Sequence, residues 1–345
     1  MRITNKMITT RYIRSLNTMS SDLNKYSTMI ESGRAFSKSS ENTAAAVKAY
    51  QLRTDMSKVE SYQSNIAHAQ SALSNSESVL MNIEDLMLEA KDKIRAANTG
   101  SASADERKII ATELKNIQDQ LLQALNANSS GSYYFGGTNT DTAPFSVGSD
   151  GRLEYNGISL STQDTNDLAT LEGYKDDSMY VDIGMGLTLI DDPEDTNTPP
   201  RKIPDPRSVF QYSLPGINIV GSGMTTINGV DVPNNLYDLL GSIADGLESS
   251  SYTYDKVNAL YEKFDTATKE IIYSLTEVGA KTSYLSFMTE RYETQTLNMQ
   301  ERQLKVEGAD PAHTIILFKS QQVAYNAALQ MGTKILQPSI FDFMS

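Results

Sequence analysis

The chain has 345 residues, of which 39% are apolar and 21% charged, and 43 acidic against 30 basic side chains give it a net charge of −13. That length implies one to three domains, and that charge favours solubility and argues against nucleic acid or an anionic membrane as the main ligand. Cysteine is absent, which excludes disulfides, cysteine-based zinc sites and thiol nucleophiles.

The first residues, MRITNKMITTRYIRSLNTMSS, do not read as a secretory signal. Arg11 and Arg14 interrupt the apolar residues before a core of ~7–15 can form. The sequence also lacks the run of ~18 apolar residues that a membrane helix needs. Apolar residues instead recur at Ile8, Tyr12, Leu16, Met19, Leu23, Tyr26 and Ile30. These alternating steps of three and four predict an amphipathic helix with a coiled-coil-like seam, ended by Gly33.

A stricter pattern follows. Leu52, Val59, Ile66, Leu73, Leu80, Met87 and Ile94 fall every seven residues, beside a row at Ala69, Ala72, Ser76, Val79, Ile83, Leu86 and Ala90. A sustained heptad predicts a long helix packed lengthwise on others, about 63 Å over 52–94 at ~1.5 Å per residue. Ser103 and Glu106 form a predicted capping box. The stripe Ile110, Leu114, Ile117, Leu121 and Ala124 behind it completes a helical hairpin.

Residues 139–234 lose the helical period and hold eight of the ten prolines. Asn156-Gly157, between alternating apolar residues 153–160, is a hairpin signal, and Asn228-Gly229 repeats it. Periodicity resumes with Val257, Phe264, Ile271, Val278, Leu285, Tyr292 and Met299, and Gly308 stops it. Asp310 and Pro311 restart a helix as N-cap and first residue. Two apolar stripes mark that last helix, Leu317, Ala324, Ala328, Met331 and Ile335, and Phe318, Tyr325, Leu329 and Leu336. A surface so wide implies neighbours on more than one side. Pro338 should end or kink the helix. Beyond it Ile340, Phe341, Phe343 and Met344 form a tail that docks on its own domain or waits for a partner.

The expected fold is therefore mainly α with an inserted β-rich domain, the N- and C-terminal regions forming a long coiled-coil-like helical bundle. Three parts are expected: a terminal helical assembly domain (1–38 with 309–345), a helical bundle domain (39–138 with 235–308) and a β-rich outer insert (139–234). Catalysis has little to stand on. The two histidines, His68 and His313, sit in helical patterns, where a surface or interhelical role outweighs general-base chemistry. Gly184-Met-Gly186 and Gly221-Ser-Gly223 read as turns. The acidic stretch DDPEDTNTPP lacks EF-hand spacing and reads as a solvated loop. Tyr133-Tyr134-Phe135 is read as packing where helix hands over to strand. Neither a cofactor nor a metal ligand set is expected.

Three segments carry a resemblance. YSTMIESGRAFSKSSENTAAAVKAYQLR is similar to the flagellin segment with a Ser-Gly-x-Arg turn, a second turn and an Ala-rich helix, although Ser40-Glu41-Asn42-Thr43 lacks the second turn's proline. SGSYYFGGTNTDTAPF resembles the Gly-x-Tyr-x-Phe-x-Gly-Thr-x-Thr pattern. EGADPAHTIILFKSQQVAYNAALQMGTKILQPSIFDFMS resembles a junction-protein C-terminal helix. By these the chain resembles the bacterial flagellin superfamily, on the side of its hook–filament junction proteins. The resemblance implies a structural protein that connects hook to filament. It further implies flagellin, an adjacent hook-associated junction protein and a ring-like homo-oligomer as partners. A cytoplasmic export chaperone and passage out of the cell without a cleaved signal, to an extracellular flagellum, follow from the same likeness. The implied assembly interface is Ile8, Tyr12, Leu16, Met19, Leu23, Tyr26 and Ile30 with Leu317, Ala324, Tyr325, Ala328, Leu329, Met331, Ile335, Leu336, Ile340, Phe341 and Phe343. Two other readings are a flagellin filament subunit and a helical-rod scaffold presenting an adhesive β module.

Overall fold

The computed structural model describes residues 5–99, 102–192, 202–227 and 230–335. The predicted contacts at Leu336, Ile340, Phe341 and Phe343, the break at Pro338, the Asn228-Gly229 turn and most of the acidic loop lie outside those residues, as does the side chain of Ile335.

The chain divides into two compact units, Met1–Glu60 with Tyr292–Ser345, and Ser61–Arg291. Five long helices account for most of it: α1 (Asn5–Ser32), α2 (Thr43–Ala97), α3 (Ala104–Leu125), α7 (Tyr254–Glu307) and α8 (Pro311–Ile335). Between α3 and α7 the described residues form α4 (Thr165–Lys175), α5 (Ile217–Val220), α6 (Leu236–Glu248) and eleven short strands. Mainly helical termini and a β-bearing middle are thus the architecture. The helix breaks at Gly33 and Gly308 fall near the expected boundaries at 38/39 and 308/309, whereas the two compact units divide inside α2 and α7.

The second unit owns the core. Along α2, Ile66, Ala69, Leu73, Ser76, Leu80, Ile83, Met87, Ala90, Ile94 and Ala97 are all buried. Their alternating three- and four-residue steps make a seam about one residue in 3.5 wide, which is what a lengthwise helix contact selects. Ala72, Val79 and Leu86 of the expected second row are half-buried and flank that seam. Phe264, Ile271, Val278 and Leu285 of α7 answer it, each fully buried. Polar pairs fix the antiparallel register: Lys91 to Asp265 at 2.5 Å, Arg95 to the Tyr261 hydroxyl at 2.7 Å, and Gln70 to Ser286 at 3.1 Å.

The capping box starts α3 as the sequence predicts. Ser103 N–H donates to Glu106 at 2.7 Å and Glu106 N–H donates back to the Ser103 hydroxyl at 3.2 Å. The stripe Leu114, Ile117, Leu121 and Ala124 is buried, Ile110 only partly, and α3 packs on α6. Helix α6 buries Leu236, Leu239, Leu240, Ile243, Ala244 and Leu247.

The middle is a set of small antiparallel ribbons. Strands β1 (Asn128–Ser129) and β2 (Ser132–Tyr133) form the first hairpin. A three-stranded sheet follows from β3 (Phe145–Val147), β4 (Leu153–Tyr155) and β5 (Ile158–Ser159). At its predicted turn Asn156 and Gly157 both have positive φ, 50° and 82°, as a type I′ turn requires. Strand β6 (Tyr180–Val181) pairs with β9 (Phe210–Gln211), and β7 (Leu189–Asp191) with β8 (Lys202–Pro204). Strands β10 (Met224–Ile227) and β11 (Val230–Pro233) form the last hairpin. The predicted Gly184, Gly186, Gly221 and Gly223 turns all have φ between 81° and 87°.

A buried carboxylate joins sheet to helix. Asp238, in the first turn of α6, accepts the Leu153 N–H at 3.0 Å, the Ser161 hydroxyl at 2.5 Å and the Asn235 side-chain amide at 2.8 Å. Phe135 is fully buried, and its carbonyl accepts both the Tyr155 hydroxyl at 3.1 Å and the Gly216 N–H at 2.9 Å. A Cβ at Gly136 would lie 2.0 Å from the Asn139 carbonyl, so this tight turn admits glycine alone. Of the Tyr133-Tyr134-Phe135 stretch Phe135 packs as expected, while Tyr133 and Tyr134 are half-buried.

Candidate assembly surface

The first unit contrasts with that core. None of residues 7–32 of α1 is buried. Helix α8 packs along α1, and the contact half-buries Tyr12, Leu16, Met19, Leu23 and Tyr26 together with Leu317, Ala324, Tyr325 and Ala328. Tyr12 donates its hydroxyl to the Ala328 carbonyl at 2.9 Å, beside Gly332, where a Cβ would stand 2.1 Å from that hydroxyl. Two helices in contact can cover only one side of each other, so an apolar arc wider than that contact stays wet.

The residues expected at the interface therefore divide into two groups. Its central positions lie in the α1–α8 contact. Ile8 and Ile30 of α1, and Leu329 and Met331 of α8, stay exposed. Beside the contact the α8 flank presents Ile316 and Val323, 65% and 69% exposed, in line with Met331. On α7 Leu297 and Leu304, seven residues apart, are 67% and 70% exposed, and on α2 Val47 and Tyr50 are exposed within the same unit. The sequence reading missed Ile316, Val323, Leu297 and Leu304. Their seven-residue spacing is the signal that would have found them.

A polar clasp closes the unit where its connections meet. Gly33, with φ 67°, ends α1, and Gly308 ends α7. The connections pair as an antiparallel bridge between Arg34 and Gly308. Within it, Ala35 N–H donates to the Glu307 carbonyl at 2.7 Å, and Ala309 N–H to the Gly33 carbonyl at 2.9 Å. The Glu307 side chain is buried, 4% exposed. Arg53 donates Nε–H to one of its oxygens at 3.2 Å and pairs with the other through Nη2. Gln303 adds a bond at 3.1 Å, and Arg34 stands 3.7 Å away. Burial opposes ionisation of Glu307, but the bonds from Arg53 and Gln303 and the charges of Arg53 and Arg34 outweigh it and hold the carboxyl below its usual range. At the second turn, which lacks the proline of the flagellin pattern, Asn42 caps α2, its side chain accepting the Ala45 N–H at 3.1 Å.

Chemistry is sparse elsewhere. His68 is exposed and meets the Tyr212 ring edge-on at 5.6 Å, and His313 is exposed on the first turn of α8. No group of three or more His, Asp and Glu side chains is placed to hold a metal among the described residues, and no described helix is long and apolar enough to cross a membrane.

Comparison with known proteins bears on the surface just described. Residues 3–140 match the bacterial flagellin N-terminal helical region. Flagellar hook-associated protein 3 of Escherichia coli (strain K12) is 27% identical over 147 residues, 42% of this chain. The chain spans about half the length of that curated relative, 46%. Among solved structures, a flagellar hook-associated protein from Vibrio parahaemolyticus superposes with a TM-score of 0.58 at 20% identity, covering 77% of this chain and 99% of that one. Flagellar hook-associated protein-3 from Legionella pneumophila gives 0.50 at 18% identity, covering 74% and 98%. The likeness to the flagellin superfamily, on the side of the hook-associated proteins, is thus present in sequence and in fold.

Proposed function

We propose, on that likeness, that the chain is a structural junction protein of the bacterial flagellum, linking hook to filament through its N- and C-terminal helices. The observation that carries this reading is the first unit's construction. Its helices cover part of their apolar surface in the α1–α8 contact, and the remainder is exposed, with the seven-residue spacing of helix-to-helix contacts at Ile316 and Val323 of α8 and at Leu297 and Leu304 of α7. Burying such side chains is worth about 1.5–3 kcal/mol each when complete, so the free unit is under-satisfied and the assembled one is not. Flagellin on one side, an adjacent hook-associated protein on the other, and further copies around a ring supply the missing neighbours. The role is mechanical rather than catalytic, and its place is the extracellular flagellum. Exit without a cleaved signal, with a chaperone covering the C-terminal helix in the cytoplasm, belongs to the same reading.

Immunogold labelling of flagella tests it. A single spot at the hook–filament boundary is expected. Label along the whole filament would make the chain a filament subunit instead. Label away from flagella would favour a rod that displays its β-bearing middle as an adhesive module.

A further inference from the structure

Charge is divided unevenly between the two units. Residues 61–291 hold 16 basic and 33 acidic side chains, a net −17, whereas residues 1–60 and 292–345 hold 14 basic and 10 acidic, a net +4. A chain of net −13 therefore carries a positive unit, the one whose apolar faces are open. Within that unit a cleft of about 280 Å³ lies between α1 and the connection 33–42. Three of its lining side chains are cationic, Lys25, Arg34 and Lys38, and one, Glu41, is anionic; the rest are mostly hydroxyls and an amide.

Glu41 shows what the cleft accommodates. It accepts the Ser37 N–H at 3.0 Å, and its carboxyl is held below the usual range first by that bond and then by Lys25 and Lys38. One carboxylate against three cations leaves a surplus of two, or of one when Arg34 is counted with Glu307. Arg34 leans on Glu307, but Lys25 and Lys38 have no ion-pair partner within 4.0 Å among the described residues. Two ammonium groups held at one cleft, beside hydroxyl donors, suit a second carboxylate presented by another molecule.

We propose that this cleft is a docking site for an acidic protein segment, whose side-chain carboxylates pair with Lys25 and Lys38. Only the identity of the segment's owner, a neighbouring subunit of the flagellum, rests on the function proposed above. Carboxylates favour this partner over a free inorganic anion because the cleft is open and its cations stand on two different elements. An extended acidic segment spans both, whereas one small anion serves a single cation well.

Titration of the isotope-labelled full-length chain with hexaglutamate tests the site. Amide shifts confined to about residues 21–41 are expected, with an affinity that falls as salt rises. Lys25→Glu with Lys38→Glu should weaken binding about tenfold or more, and Lys25→Arg with Lys38→Arg should restore it. Thermal melting of each variant alongside shows that folding is intact. Inorganic phosphate shifting the same amides at equal concentration would overturn the proposal in favour of a simple anion site. So would shifts spread over Arg11, Arg14 and Lys48 as strongly, or an undiminished response in the charge-reversed chain. Hexaglutamate binding in a protein that never labels flagella would leave the cleft standing and remove only the flagellar partner.

Discussion

Met87 of α2 and Leu16 of α1 both sit on apolar seams, yet Met87 is fully buried and Leu16 only half. The difference lies in what faces them. Around Met87 the second unit brings its own α7 and α3, and Met87 is left with no exposed surface. Around Leu16 the α1–α8 contact covers one side, and among the described residues of that unit the exposed large apolar side chains outnumber the buried ones. One periodic pattern thus gives a finished core in one place and an unfinished one in the other. What separates the two is the number of helices supplied by the same chain.

The sharpest way to break this contrast is to make the same truncation in both units. Leu80→Ala removes a fully buried side chain and should cost about 2–5 kcal/mol. Leu16→Ala should cost the monomer about 1 kcal/mol or less. Denaturant melts of the two variants measure the difference, and equal losses would erase the distinction. A second test concerns polar anchoring in the closed unit. Asp238→Ala strands the Leu153 N–H and the Ser161 hydroxyl and should destabilise by about 3 kcal/mol in the same melts.

The clasp of the open unit responds to acid. Glu307 has a lowered folded-state pKa, so its contribution is complete above the unfolded value of about 4.3 and is lost as pH falls through the folded one. Protection of the 33–35 and 307–309 bridge amides, measured against the exchange rate of unstructured amides at the same pH, should fall on acidification below about pH 4. In Glu307→Gln that protection should be low already at neutral pH and change little with acid. A small effect, comparable to that of Leu16→Ala, is expected at Gly332→Ala, whose new methyl displaces the Tyr12 ring and its bond to Ala328. A loss of about 1 kcal/mol, read as faster exchange in α8 and no change in the second unit, is the expected outcome.

What the sequence revealed tracks the same divide. The heptads of α2 and α7 were legible because a seam closed by the same chain needs strict spacing, and Ile66, Leu73 and Ile271 obey it. The caps at Ser103 and Asp310 and the Asn156-Gly157 turn were legible because their chemistry is local. Helix α4 was not, since it buries Leu171 alone and so carries no stripe. The clasp was invisible because Arg53 and Glu307 lie 254 residues apart. On α8 the sequence marked two stripes, but only a partner helix decides which residues are covered, and α1 covers Leu317, Ala324 and Ala328 while leaving Ile316 and Val323 in water.

On the proposed function, the apolar faces of α1 and α8 are completed by other subunits. Hydrogen exchange followed by mass spectrometry, on the dilute monomer and on the protein within isolated flagella, tests it most directly. The account predicts rapid exchange of α1 and α8 in the monomer, slow exchange of α2 and α7 within residues 61–97 and 254–291, and strong protection of α1 and α8 after assembly. Equal protection of α1 and α8 in both states would contradict it, because the terminal unit would then be complete on its own.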